Sequence, residues 1–138
     1  SWSTRCDTAL VRVPQCKIDK PRTMRVELRN PDPACNPYLL FSAILASGLR
    51  GVRDKYETPT PYEITRPITS RTELQKMGLE PLPMQLDEAL LYLEKSELMR
   101  ETLGDRIVDI FIENKHIEID RFNSRITDYE VNEYFPIL

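Results

Sequence analysis

The stretch Arg25-Val26-Glu27-Leu28-Arg29-Asn30-Pro31-Asp32-Pro33-Ala34-Cys35-Asn36-Pro37-Tyr38 decides how this chain is read. Its first five residues alternate charge with aliphatic side chains, the period of a β-strand. Met24, Val26 and Leu28 then face a core, while Arg25, Glu27 and Arg29 stand about 7 Å apart along the other face. Two guanidinium groups flanking a carboxylate form either a solvated ladder of charges or a surface able to grip phosphate and metal. The three prolines that follow cannot continue a sheet, so the strand runs into a stiff turn. Asn36 is a good N-cap and Pro37 suits the first helical position, so a helix begins there.

Upstream, Thr8 to Pro14 reads as a second strand, with Ala9, Val11 and Val13 on one face and Arg12 on the other. Downstream the pattern turns helical. Asn36 to about Asp54 is apolar over most of its surface and predicts a buried, closely packed helix. Tyr56 to Pro67, dense in Pro, Thr and Glu, predicts a loop and a mobile segment. Ser70-Arg71-Thr72-Glu73 has the form of a capping box, and Gly78 closes the short helix behind it. Leu86, Ala89, Leu90 and Leu93 give a helix from about Gln85, and Ser96 caps another that ends at Gly104. Asp105 to Phe122 is a long helix with Val108, Phe111, Ile112, Lys115, Ile119 and Phe122 on one side. Thr127-Asp128-Tyr129-Glu130 is a second capping box, opening a final helix.

The motifs Trp2-Ser3-x-Arg5, Ala9-Leu10-Val11-Arg12-Val13-Pro14, the Arg25 to Tyr38 stretch and Leu82-Pro83-Met84-Gln85-Leu86-Asp87-Glu88-Ala89-Leu90 occur in an order that strongly resembles the C-terminal part of glutamine synthetases. The resemblance runs from Trp2 to Tyr134. It implies an α+β fold with a few antiparallel strands near the N-terminus and about five helices, residues 1–138 being the C-terminal portion of a longer catalytic domain.

In that family ATP phosphorylates the side-chain carboxylate of glutamate, and ammonia displaces phosphate from the γ-glutamyl phosphate. The resemblance implies Mg2+ or Mn2+ and ATP for the complete enzyme, with glutamate and ammonia as substrates, in a double-ringed homo-oligomer. Glu27 matches a metal-holding glutamate, and Arg29 the arginine that binds substrate glutamate. Arg12 matches an arginine contacting ATP; Arg22 and Arg25 fall on the nucleotide side, with Lys20 the alternative to Arg22. Tyr62 lies near a tyrosine that some relatives carry in nucleotidylated form, although the loop before it is shortened here.

One departure reverses a charge. Where the family reads Arg-Asn-Arg-Ser-Ala, this chain reads Arg5-Cys6-Asp7-Thr8-Ala9, so Asp7 replaces a phosphate-contacting arginine unless Arg5 serves by a shift of register. Two alternatives to the ligase therefore stay open: a catalytically impaired relative with a structural or regulatory role, and a relative joining glutamate to another amine. The part of the enzyme that this chain represents is expected to be inactive by itself.

Composition narrows the partners. The 138 residues suffice for one domain, and 41% of them are hydrophobic, enough for a core. A net charge of −3 with scattered basic residues points away from nucleic acid. No stretch approaches the roughly 20 apolar residues of a membrane span, so a soluble, cytoplasmic protein is expected. Cys6, Cys16 and Cys35 include no C-x-x-C pair and are given no chemical role. His116, the sole histidine, sits mid-helix without a second ligand type nearby, and a structural or solvent-facing place is expected for it.

Overall fold

The computed structural model describes residues 1–6, 9–16, 21–63, 68 and 70–137. Asp7, Thr8, the stretch 17–20 with Lys20, and residues 64–67 lie outside this set, so the expectations that rest on them are not addressed by the structure. The chain divides into two units, Ser1–Leu82 and Pro83–Leu138, where the length alone allowed a single domain.

The first unit carries three short strands: β1 (Trp2–Ser3), β2 (Val11–Arg12) and β3 (Glu27–Leu28), in the order β1-β2-β3. β2 and β3 are antiparallel, pairing Val11 with Leu28 and Arg12 with Glu27. β1 runs parallel to β2, pairing Trp2 with Val11 and Ser3 with Arg12, so the sheet is mixed. The strands are shorter than the alternation predicts. Pro14 ends β2, and a 3₁₀ turn over Pro21–Thr23 precedes β3. Proline withholds the backbone donor that a longer ladder needs.

Helix α1 (Pro37–Arg53) starts where its cap residues place it. The Asn36 side chain accepts from the backbone N–H of Tyr38 at 3.0 Å and of Leu39 at 3.4 Å. Its exit is held by Asp54, which binds Arg50 Nε at 2.5 Å and Arg53 Nε at 3.0 Å. The expected burial of this helix is not observed, because none of its residues is buried. Phe41, Leu45, Leu49 and Val52, spaced at three and four residues, form an exposed apolar stripe. Met24, Val26 and Leu28 are likewise exposed, so among the described residues the face of β3 expected to meet a core meets none. A helix assembles from local hydrogen bonds and caps, whereas burial of its stripe requires a second apolar surface.

Helix α2 (Arg71–Lys76) has Ser70 as its N-cap, but the Ser70 side chain makes no cap hydrogen bond, so the predicted capping box does not form. The Ser70 carbonyl accepts from Glu73 N and Leu74 N instead. Gly78, at a φ of 67°, takes the left-handed conformation that ends such a helix and that other residues adopt only with strain.

The second unit holds α3 (Leu86–Glu94), α4 (Glu97–Leu103), α5 (Asp105–Asn123) and α6 (Asp128–Tyr134). α3 and α4 both pack on α5. Leu90 and Val108 are its buried apolar residues, as the helical spacing predicted for that face. Ser96 caps α4 by accepting from Met99 N at 3.2 Å. Thr127 and Glu130 form the full reciprocal box at the start of α6. His116 Nε2 lies 3.3 Å from Glu94 Oε1, tying α5 to α3 on the exposed side. None of the helices among the described residues is long and apolar enough to cross a membrane.

Candidate functional site

Strand register assembles the charged site. Because Arg12 stands opposite Glu27, its Nη1 reaches Glu27 Oε2 at 3.3 Å. Two positions before Glu27 on the same face, Arg25 grips the other oxygen through Nε at 2.9 Å and Nη2 at 2.8 Å. Two positions after it, Arg29 Nη2 lies 3.8 Å from Oε2. Arg25, Glu27 and Arg29 therefore share one strand face, as the period-two alternation predicts. Arg12 joins them from the neighbouring strand.

Partial desolvation pushes the Glu27 carboxyl up, but the hydrogen bonds and charges of Arg25 and then Arg12 outweigh it and hold the group below the usual glutamate range. Glu27 is thus ionised at neutral pH. Three guanidinium groups around one carboxylate leave an excess of positive charge on this face, able to attract a second anion. A phosphate or carboxylate arriving there competes with Glu27 for the same donors.

Arg22 is not among these groups. It lies exposed in the 3₁₀ turn over Pro21–Thr23, and the ion pairs of Glu27 among the described residues do not include it. Arg12, Arg25, Glu27 and Arg29 are brought together; Arg22 is not.

A hard divalent cation takes about six oxygen ligands. Glu27 has the right chemistry for one of them. No group of three or more His, Cys, Asp or Glu able to hold a metal occurs among the described residues. The described residues thus do not by themselves complete a cation site around Glu27.

Two residues beside this face gave no signal in the sequence. Ser3 is fully buried at 0% exposure, and its Oγ donates to Glu63 Oε2 at 3.0 Å. The other Glu63 oxygen accepts from Thr4 N at 3.0 Å and Thr4 Oγ1 at 2.9 Å. Trp2 Nε1 donates to the Pro59 carbonyl at 2.6 Å, and Tyr62 N donates to the Trp2 carbonyl at 2.7 Å. Within the expected loop from Tyr56 to Pro67, the described stretch 59–63 has no helix or strand and hydrogen-bonds to Trp2, Ser3 and Thr4. A contact across some sixty residues has no periodicity or cap pattern to announce it.

A sequence model of the family described as "Glutamine synthetase, catalytic domain" matches residues 1–134. The chain belongs to the glutamine synthetase family. Similar members include the glutamine synthetase of Mycobacterium bovis, 42% identical over 99% of this chain and 31% of its own length. That of Methanococcus voltae is 38% identical over 99% of this chain and 30% of its own. Among solved structures, a GmaS–ADP complex superposes with a TM-score of 0.77 at 29% identity, over 99% of this chain and 29% of that one. A glutamine synthetase of Plasmodium falciparum gives 0.74 at 21% identity over 96% and 33%, a likeness of fold. The chain therefore spans about three-tenths of the length of the curated glutamine synthetases it matches, and corresponds to the C-terminal part of their catalytic domain.

Proposed function

We propose that this chain forms one wall of the active site of an ATP-dependent ligase that joins glutamate and ammonia into glutamine. The observation that carries the reading is the convergence of Arg12, Arg25 and Arg29 on Glu27 in a chain of this family. In the proposed reaction a side-chain carboxylate oxygen of glutamate takes the γ-phosphoryl group of ATP, releasing ADP. Ammonia then attacks the acyl carbon of the γ-glutamyl phosphate and phosphate leaves. Both steps gather negative charge in one place.

In this reading Arg29 binds the substrate glutamate, and Arg12 and Arg25 hold the nucleotide phosphates. Arg22, exposed in its 3₁₀ turn, is assigned to the nucleotide side with them. Glu27 keeps the guanidinium groups ordered before the anions arrive, and is the residue that would hold a divalent cation together with ligands from outside this chain. Such a cation, Mg2+ or Mn2+, neutralises phosphate charge when bound. A structural relative at 29% identity is a complex with ADP, which supports nucleotide handling by the complete protein. A homo-oligomer and a cytoplasmic setting go with the same proposal, and the exposed stripe on α1 is the kind of apolar surface that a larger assembly covers.

The test is an assay of the complete protein with ATP, glutamate and ammonia, following glutamine and phosphate. Turnover is expected, together with a loss of about 100-fold or more in Glu27→Gln. Undiminished turnover in that variant rejects the assignment of Glu27.

Asp7 favours a second reading, in which the site is catalytically impaired and the protein serves a structural or regulatory role. A carboxylate where the family places a phosphate-contacting arginine works against phosphoryl transfer, and loss of one such donor costs about 100-fold. If Asp7→Arg raises turnover by that order, the impaired reading gains. If activity is unchanged, the ligase site is already compensated.

A further inference from the structure

We infer that Glu63 is a positioning residue, a carboxylate clasp that fixes β1 and through it the placement of Arg12. The inference rests on the ligase reading for what Arg12 binds, and on geometry alone for how it is held.

Three strands place Ser3, Arg12 and Glu27 side by side: Ser3 pairs with Arg12, and Arg12 pairs with Glu27. β1 is the outer strand of this row, two residues long and parallel to its neighbour. So short a parallel edge has little hydrogen bonding of its own. The stretch 59–63 supplies the rest. Tyr62 N and Trp2 Nε1 make the two links already described, and Glu63 makes three more, two to Thr4 and one to Ser3.

Ser3 relays that grip. While donating to Glu63, its Oγ accepts from Cys6 N at 2.7 Å and Arg5 N at 3.1 Å, and its carbonyl accepts from Val13 N at 2.9 Å, next to Arg12. One exposed carboxylate thus holds a fully buried hydroxyl that also accepts from the backbone just after β1, while the carbonyl of the same residue bonds the backbone next to Arg12. An anion that draws Arg12 away from Glu27 pulls on β2. A clasped β1 resists that pull, so the guanidinium moves while its backbone stays.

The site demands a carboxylate. Three donors converge on Glu63, two at one oxygen and one at the other. A glutamine offers one acceptor oxygen and turns an NH2 group toward the remaining donors. The contact with Ser3 is part-buried and those with Thr4 are exposed, so Glu63→Gln perturbs the clasp chiefly at Ser3, at nearly unchanged size.

The experiment uses the complete protein with Glu63→Gln and, as the milder variant should that one fail to fold, Thr4→Ala. Steady-state kinetics with ATP and glutamate varied in turn are combined with amide exchange at Cys6 and Val13. Glu63→Gln is expected to raise the KM for ATP by about tenfold while that for glutamate stays within about twofold, and to speed exchange at Cys6 by about tenfold. Thr4→Ala is expected to move the same quantities in the same direction by a smaller factor. A fall in kcat with both KM values unchanged, or equal rises in both, marks a merely structural role and overturns the inference. So does Cys6 exchange that matches the wild type. If the wild-type protein does not turn over ATP with glutamate, the ligase reading falls separately, and amide exchange at Cys6 and Val13 still decides whether Glu63 holds β1.

Discussion

Arg12 and Glu27 face each other across the β2–β3 register, with Nη1 and Oε2 3.3 Å apart and side chains 31% and 28% exposed. An isolated pair so placed adds little to stability. Its interest lies in what surrounds it, since Arg25 and Arg29 converge on the same carboxylate.

The ion pairing of Glu27 should show a pH dependence of definite sign. Its folded pKa lies below that of the unfolded chain, so its contribution to stability is complete above the unfolded value of about 4.3 and is lost as pH falls through the lowered one. Urea unfolding of the wild type and Glu27→Gln should differ at pH 7, and the gap should close under acid. A gap that widens below about pH 4 contradicts the pairing.

Arg29→Lys keeps the charge and removes the planar fork. In the complete protein the KM for glutamate should rise by about tenfold or more, with the KM for ATP changed less. A larger effect on ATP would move Arg29 to the nucleotide side.

The helix caps make a contrast that local stability can measure. Ser96 and Thr127 accept from backbone amides of their helices, whereas the Ser70 side chain makes no cap hydrogen bond. Ser96→Ala and Thr127→Ala should each lower the local stability of their first turns by about 1 kcal/mol. Ser70→Ala should cost no more than a few tenths. Amide exchange at Met99, Glu130 and Glu73 reads these out.

Val108, at 1% exposure, and Val52, at 78%, bracket the packing of the chain. Val108→Ala should cost about 2 kcal/mol, the loss of most of a buried side chain's transfer energy. If nothing in the complete protein covers α1, Val52→Ala should stay within about 0.5 kcal/mol. A cost above 1 kcal/mol there shows that the stripe of Phe41, Leu45, Leu49 and Val52 is packed in the assembled molecule.

The residues themselves determined whatever is set within a few positions. Alternation put Arg25, Glu27 and Arg29 on one face, because successive strand side chains point oppositely. Asn36 with Pro37, Ser96, Gly78, Gly104 and the Thr127–Glu130 box set helix ends, because a cap is a bond between neighbours. The tertiary structure decided the rest. Only strand register makes Arg12, fifteen positions away, the opposite number of Glu27. Only the return of the chain brings Glu63 to Ser3, sixty positions apart. Ser70 follows the pattern of a cap and makes no side-chain bond, since a motif allows a hydrogen bond without enforcing its rotamer. The apolar stripe of α1 predicts burial, but burial needs a partner surface, and in these 138 residues the described structure supplies none over it.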